Sequence, residues 1–223
     1  MSSLKNLYLK LKEKSDINFQ RIDITHSEIN NCEWLNHIFI SPSIRYGHLE
    51  YFKSNNDKIE VVHCVFFPSY FKAMPIFGFD VISLGGKITG LFCDFTPSPY
   101  TNLTLQSSIK NANCTLSHLK RDLPGWTEFF SPEFIAIAPN NEYEKAEHSC
   151  LDLFDLYIKY SQIMDLNSSY LLGEDVKKHI DGQNKYSLGQ RKNSKTQKAL
   201  ASYIGENAAK EFVDNVLFPI FNK

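Results

Sequence analysis

The sequence predicts an α/β protein with a central antiparallel β-sheet flanked by helices. Short segments in the middle of the chain are rich in aromatic and β-branched residues, turn signals separate them, and the later sequence changes to helical spacing of its apolar residues. The chain has 223 residues, of which 43% are hydrophobic and 13% aromatic, so it is long enough to bury a large core. We therefore predict one domain over residues 1–223.

The first 16 residues alternate leucine with lysine and predict an amphipathic helix. This segment lacks the unbroken apolar stretch of a signal peptide or a membrane span. The 5 cysteines form no CxxC pair, and their odd number argues against a complete disulfide framework. We therefore expect a reduced, cytoplasmic protein that has no membrane partner.

The predicted strands are short and apolar, and their boundaries follow from the turn signals between them. Asparagine and aspartate at 55–57 and the glycine pair at 85–86 tolerate the positive φ angles of tight hairpins. These turns predict an antiparallel meander in which the strands pair in sequence order. The strands are predicted at 46–52, 59–67, 76–84 and 88–96.

Helical spacing returns at 151–163 and again at 212–217, where we predict helices that cover the sheet. The polar segment 166–193 between them contains three glycines and few apolar anchors. We predict that this segment forms a mobile loop or lid.

The charges exclude one broad class of function. Lys and Arg number 24 against 25 Asp and Glu, a formal net charge of -1. Such a balance gives no global basic field of the kind that nucleic-acid binding requires, so a charged partner must be met by a local patch.

Ionisable residues interrupt one face of the predicted sheet. Side chains alternate across a strand, so His48 and Glu50 share a face, and pairing in sequence order adds His63 and Asp80 to it. The same face contains Gly78, which leaves room for a flat ligand. Carboxyl and imidazole groups in a dry site acquire pKa values near neutrality, so this face predicts a proton-donating pocket.

Ordinary structural roles compete with this interpretation. A lone histidine in a strand is more often a hydrogen-bonded core residue, and this applies to His48 and His63 taken singly. Asp80 lies in an otherwise apolar run and requires a partner, a ligand or a raised pKa. Asp94 has a similar setting, where capping a strand end is the alternative.

A metal centre is the main chemical alternative, because two histidines and two carboxylates are suitable ligands for zinc or iron. The sequence contains no HExxH motif, no HxH pair and no cysteine cluster. We therefore predict no metal site.

Several motifs together resemble the ferredoxin-dependent bilin reductases, and in particular their phycocyanobilin-forming branch. The resemblance extends from about residue 46 to the C-terminus. Its motifs are HLE at 48–50, HCVFFP at 63–68, PIFGFD at 75–80, RDLPGW at 121–126, QRKNSKT at 190–196 and VLF at 216–218.

The resemblance implies a three-layer α/β/α sandwich that binds biliverdin IXα between the sheet and the C-terminal helices. It implies reduction through bilin radicals, with four electrons delivered singly by reduced ferredoxin, a [2Fe-2S] protein, and no bound cofactor. It also implies a monomer in the cytoplasm of a photosynthetic or phage-infected bacterial cell.

The catalytic roles are carried over residue by residue. Asp80 and His63 correspond to central proton donors and hydrogen-bond partners of the bilin. His48 and Glu50 correspond to residues near a vinyl-bearing end ring.

Substrate-binding roles carry over to four further positions. Arg121 and Lys195 match residues that bind the two propionates, a suitable task for cationic side chains in a partly dry groove. Asn193 and Thr89 complete the predicted substrate contacts. Ordinary surface charge is the alternative for Lys195.

One departure from the family concerns the product. Many relatives have aspartate where this chain has Ser194, and a serine cannot replace an acid. Retention of the four catalytic candidates favours phycocyanobilin, whereas the serine and the compact, Lys- and Asn-rich chain slightly favour phycoerythrobilin, the product of a phage-type offshoot. A non-catalytic tetrapyrrole-binding module and a metal-dependent hydrolase remain alternatives.

Overall fold

The computed structural model describes residues 2–22, 32–56, 58–97, 99–100, 102–122, 127–167 and 170–220. Its centre is a 7-stranded sheet in which every strand pairs antiparallel with its sequence neighbour, as the meander prediction required. The strands are β1 (Gln20–Ile22), β2 (Glu33–Ile40), β3 (Ile44–Lys53), β4 (Ile59–Pro68), β5 (Ile76–Leu84), β6 (Lys87–Thr96) and β7 (Ile135–Ile137).

Helices at both ends of the chain and after the main strands cover this sheet. The N-terminal helix and the helices predicted around 151–163 and 212–217 are confirmed, although the last ends in a π-helical turn, Val213–Leu217. The helices are α1 (Ser3–Asn18), α2 (Leu103–Thr115), α3 (Tyr143–Leu166), α4 (Glu174–Gln190), α5 (Ser194–Ile204) and α6 (Glu206–Phe212).

The two sides of the sheet form separate cores, because neighbouring residues of a strand point to opposite faces. In β4, Cys64 and Phe66 belong to the larger core beneath α1, α2 and α3. Val65 and Phe67 face the smaller core, which the later helices complete with Tyr186 and other apolar residues. This layering confirms the predicted α/β/α sandwich.

The prediction of a mobile loop over 166–193 is wrong for most of that segment. Residues 174–190 form helix α4, which follows Gly173 with its φ of 52°. The buried side of this helix is largely polar or small, so its helical spacing is hidden from a search for apolar residues. Its buried positions are His179, Gln183, Tyr186, Ser187, Gly189 and Gln190.

The hairpin turns fix the register of the meander. Gly85 and Gly86 have φ angles of 57° and 76°, which a side chain would disfavour, and they join β5 to β6. Of the other predicted turn, residues 55 and 56 form a turn between β3 and β4, and residue 57 lies outside the described residues. Within the described ranges, no helix is long and apolar enough to cross a membrane.

Candidate active site

One row of side chains crosses five strands on the face below the later helices. Direct cross-strand pairing joins Asn36 to Glu50, Glu50 to His63, His63 to Asp80, and Asp80 to Phe92. Residues paired in this way lie on the same face. The structure therefore brings Glu50, His63 and Asp80 together in the order in which their strands pair.

A second row lies beside the first and contains the fourth catalytic candidate. His48 pairs with Ile38 on one side and with Val65 on the other, and Val65 pairs in turn with Gly78. The rings of His48 and His63 have their centroids 5.6 Å apart. The four residues predicted from sequence thus form one group on two adjacent rows.

His63 and Asp80 form the central ion pair of this group. Nδ1 of His63 lies 2.5 Å from a carboxylate oxygen of Asp80, while its Nε2 is buried and makes no hydrogen bond within the described part of the chain. Burial alone would lower the pKa of His63, but the charge and hydrogen bond of Asp80, together with the charge of Glu50, outweigh it and raise the pKa. His63 therefore retains its proton more readily than an exposed histidine.

Glu50 is a nearly inaccessible carboxyl group beside this pair. It is 4% exposed, and its Oε1 accepts a 2.6 Å hydrogen bond from the indole N–H of Trp34. Burial raises the pKa of Glu50 and outweighs the opposing effects of His63 and Trp34. Glu50 is therefore a second group that favours the protonated form.

His48 is fully buried, and its Nε2 lies 3.0 Å from the side-chain oxygen of Asn36. Because an amide oxygen only accepts, this contact requires a proton on Nε2 of the imidazole. Asn36 therefore fixes the tautomer of His48.

Aromatic residues from the C-terminal helices cover the polar rows. The ring of Phe218 stands edge-on to His63 at 5.6 Å, and the ring of Phe212 stands edge-on to His48 at 6.2 Å. The Tyr186 hydroxyl lies 3.3 Å from the point that a Cβ at Gly78 would occupy. Because Gly78 has no side chain, the Tyr186 hydroxyl can approach the floor of the site. The sequence predicted this space for a flat ligand.

Asp80 marks the opening of the site. Its side chain is 32% exposed, whereas that of His63 is 9% exposed. Asp80 therefore connects the buried histidine to the more exposed side of the site. The arrangement is chemically suited to supply protons to a ligand held against the sheet.

Asp94 lies on the second row, opposite Gly78, but its oxygens are occupied. It accepts hydrogen bonds from the backbone N–H of Ser131 at 2.9 Å, from the Ser131 hydroxyl, and from the Thr96 hydroxyl at 2.6 Å. These bonds attach the segment around Ser131 to β6. The structure thus supports a structural role for Asp94, the alternative considered from sequence.

The four predicted substrate-binding residues form two local pairs. A terminal nitrogen of Arg121 donates a 3.1 Å hydrogen bond to the carbonyl of Thr89, and the Arg121 guanidinium lies 5.4 Å from the ring centre of Phe92. Asn193 caps α5 by accepting a 3.2 Å hydrogen bond from the backbone N–H of Lys195, whose side chain is exposed. Within the described ranges, no hydrogen bond joins these residues to Glu50, His63 or Asp80.

Sequence reasoning missed two groups that shape the site. Trp34 and Asn36 lie on β2, a strand that was not predicted, although the aromatic and β-branched residues of WLNHIFI at 34–40 are a usable signal. Tyr186 and Gln190 lie on α4, which was predicted as a loop, and the Gln190 amide donates a 2.9 Å hydrogen bond to the Tyr186 hydroxyl.

Metal binding finds no support in the arrangement of possible ligands. Among the residues that the structure describes, no group of three or more His, Cys, Asp or Glu side chains is arranged to hold a metal ion. The absence of a metal from the working protein stays a prediction.

Comparison with known proteins identifies the family. Residues 15–219 match the family model described as "Ferredoxin-dependent bilin reductase". The chain therefore belongs to the ferredoxin-dependent bilin reductases, and it is an oxidoreductase of that family.

Curated relatives agree with this assignment. Three proteins named phycocyanobilin:ferredoxin oxidoreductase, from three strains of Prochlorococcus marinus, are 28%, 31% and 28% identical to this chain. The matches cover 72%, 74% and 72% of this chain. They span 67%, 68% and 61% of the length of the relatives.

Solved structures share the fold. Tomato phytochromobilin synthase, solved in complex with biliverdin, has a TM-score of 0.76 at 17% identity and matches 99% of this chain and 86% of its own length. A PcyX structure has a TM-score of 0.65 at 24% identity and matches 98% of this chain and 99% of its own length.

Proposed function

We propose that this protein reduces biliverdin IXα to a phytobilin, with single electrons from reduced ferredoxin and protons from the row Glu50, His63 and Asp80 and from His48. The observation that carries the proposal is the 2.5 Å His63–Asp80 pair beside a buried Glu50 on one sheet face. The names of the relatives and the biliverdin complex of the tomato enzyme support the same substrate and electron donor.

The proton-bearing side chains of the site suit this chemistry. Four electrons added to a neutral bilin require four protons, and each electron makes the pigment more basic. Their surroundings raise the pKa values of His63 and Glu50, which favours the protonated form of both groups. Asp80, the more exposed partner of His63, would return protons from solvent to His63 and Glu50.

The pigment is proposed to lie flat against the floor that contains Gly78, below the rings of Phe212 and Phe218. Its propionates would pair with Arg121 and Lys195, because carboxylates in a partly dry groove need cationic partners. The carbonyl of Thr89 accepts a hydrogen bond from the Arg121 side chain, and the Asn193 side chain accepts one from the backbone N–H of Lys195. The Tyr186 hydroxyl, now over Gly78, would be the first group that the pigment displaces or contacts.

The remaining features of the proposal concern partners. A [2Fe-2S] ferredoxin would dock through a local basic patch, since the net charge of -1 provides no global attraction. The protein would work as a cytoplasmic monomer without a cofactor of its own.

Phycoerythrobilin is the proposed product. Ser194 stands at the start of α5 with an exposed side chain, at the position where many relatives carry an acid. An uncharged hydroxyl is a far weaker proton donor than a carboxyl, so protonation at the A-ring end follows a different course from that in relatives with the acid. Product chromatography separates phycoerythrobilin from phycocyanobilin directly.

Anaerobic turnover tests the proposed function. Purified protein, biliverdin, ferredoxin and a reducing system should shift the pigment absorption through radical intermediates to a new phytobilin. Tight binding with an unchanged pigment would instead establish a tetrapyrrole-binding module, and loss of activity with a chelator would point to a metal enzyme.

Asp80→Asn should bind biliverdin but stall after the first electron transfers, because the amide cannot restore the proton lost from His63. We expect the turnover rate to fall by about 100-fold or more, the usual contribution of acid–base catalysis. Stopped-flow absorption would show accumulation of an early radical. Asp152→Asn, an exposed change on α3, is the matched control, and full turnover by Asp80→Asn would remove Asp80 from the proton path.

A further inference from the structure

Trp34 contacts the site through a hydrogen bond to Glu50 and through its aromatic ring. Its indole N–H donates to Oε1 of Glu50 at 2.6 Å. Its ring stands edge-on to Phe52 at 6.4 Å and to Phe212 at 4.6 Å, so it is held between the sheet and the helical layer. The hydrogen bond is therefore part of a rigid arrangement.

The chemistry of the two partners restricts where Glu50 can carry a proton. An indole N–H is a donor only, so the oxygen that it contacts must be an acceptor. In a protonated carboxyl group the carbonyl oxygen is the stronger acceptor, and the proton lies on the other oxygen. Because Oε1 accepts the bond from Trp34, the proton of Glu50 is favoured on Oε2.

The other oxygen is free to serve a ligand. Within the described part of the chain, Oε2 of Glu50 makes no hydrogen bond, and Glu50 pairs directly with Asn36 on one side and with His63 on the other. A proton on Oε2 is therefore available within the row that contains His63 and Asp80.

We propose that Trp34 is a positioning residue that fixes the acidic proton of Glu50 on Oε2, where it can reach the bound pigment. The proposal rests on the function proposed above and assigns a role to a residue outside the four proton-bearing groups. It also explains why an apolar indole lies with its N–H directed at a buried carboxyl group.

The hydrogen bond also affects how readily Glu50 releases its proton. Burial raises the pKa of Glu50, and the Trp34 N–H opposes that effect because it stabilises the carboxylate. His63 of β4 lowers this pKa and Asp80 of β5 raises it, while His48 lies on the same strand. The helical layer contributes the ring of Phe212 against Trp34.

Trp34→Phe tests the proposal, because it keeps an aromatic ring and removes the donor. Infrared titration of the ligand-free protein follows the carbonyl stretch of protonated Glu50, identified by its loss in Glu50→Gln. In Trp34→Phe this band should shift, since its hydrogen bond is gone, and should persist to higher pH than in the wild type. An unchanged band and an unchanged titration would overturn the proposal.

Turnover provides a second readout with its own controls. Trp34→Phe should lower kcat about tenfold, less than the roughly 100-fold or greater contribution of a complete acid–base group because Glu50 itself remains, while biliverdin binding stays within about twofold. Phe52→Leu disturbs the ring contact without touching the hydrogen bond and should leave the infrared titration unchanged. In a Glu50→Gln background, Trp34→Phe should cause no further loss of kcat, and an additive loss would show that Trp34 does not act through Glu50.

The two proposals fail in different ways. A wild-type protein that leaves biliverdin unreduced would refute the proposed function, whereas the infrared result on the ligand-free protein would still decide the position of the Glu50 proton.

Discussion

His63 and His179 show how the same side chain acquires opposite properties in two buried settings. His63 faces Asp80, whose charge and hydrogen bond overcome the effect of burial and raise its pKa. Among the residues that the structure describes, no carboxylate acts on His179 of α4 in this way, and burial together with Arg45 lowers its pKa despite contacts to the carbonyls of Tyr70 and Met74. The direction of each pKa shift therefore depends on the charged and hydrogen-bonding groups that surround the histidine.

Proton NMR of the imidazole groups should separate these two residues. His63 should titrate above the ordinary value of about 6.5, and His179 should titrate below it. Asp80→Asn should lower the pKa of His63, because it removes the charge and leaves the burial, and should leave His179 unchanged. A His63 that titrates at or below the ordinary value in the wild type would contradict the ion pair.

The two pKa shifts make the free energy of unfolding depend on pH in opposite directions. Folding raises the pKa of His63, so its contribution to the free energy of unfolding is fully present below about pH 6.5 and is lost as pH rises through the folded pKa. Folding lowers the pKa of His179, so its contribution is present above about pH 6.5 and is lost as pH falls through the folded pKa.

At the scale of elements, α4 is attached to the sheet by buried polar groups. Gln183 is fully buried, accepts a 2.7 Å hydrogen bond from Nε of Arg45, and donates one of 3.1 Å to the carbonyl of Pro68. Ser187 donates a 3.0 Å hydrogen bond to the carbonyl of Pro219. Directional bonds of this kind set the rotation and height of the helix above the site.

Gln183→Leu should destabilise the protein by about 2 kcal/mol, since it removes partners from a buried guanidinium and a buried carbonyl. Urea unfolding gives the free energy directly. Lys185→Ala, an exposed change on the same helix, is the control and should stay within about 0.5 kcal/mol of the wild type. Equal stability of the two variants would show that the Gln183 bonds do not hold α4.

The success of sequence reasoning varied with the type of pattern. The strands β3 to β6 were found because aromatic and β-branched residues fill them and glycine or asparagine turns separate them. The strand β2 was missed although WLNHIFI at 34–40 is rich in aromatic and β-branched residues. Helix α4 was missed because its buried side chains are mostly hydrogen-bonded polar groups, which carry no hydrophobic signal.

The candidate site was predictable only where it follows strand alternation. That rule and pairing in order suffice to place Glu50, His63 and Asp80 on one face. The Trp34 contact and the Tyr186 hydroxyl over Gly78 depend on strand register and helix rotation, which arise from long-range packing. Sequence spacing does not contain that information.

At the scale of the whole molecule, the sheet separates two cores of different size. The core beneath α1, α2 and α3 contains most of the buried apolar residues, and α3 alone buries side chains along its full length. On the other side, α5 buries Leu200, and α6 buries Ala209 and Phe212. Because buried apolar area is the main stabilising contribution, we expect the layer over the candidate site to be the less stable one.

Hydrogen exchange should reveal this difference. Amides of α5 and α6 should exchange faster than those of α3 in the ligand-free protein, since opening those helices exposes little apolar surface. Bound biliverdin, inserted between this layer and the sheet, should slow exchange in α4, α5 and α6 and leave α3 unchanged, because a ligand stabilises only the state that binds it. Equal protection of α3 and α5 without ligand would contradict the unequal cores, whereas equal slowing of α3 and α5 by biliverdin would place the pigment elsewhere.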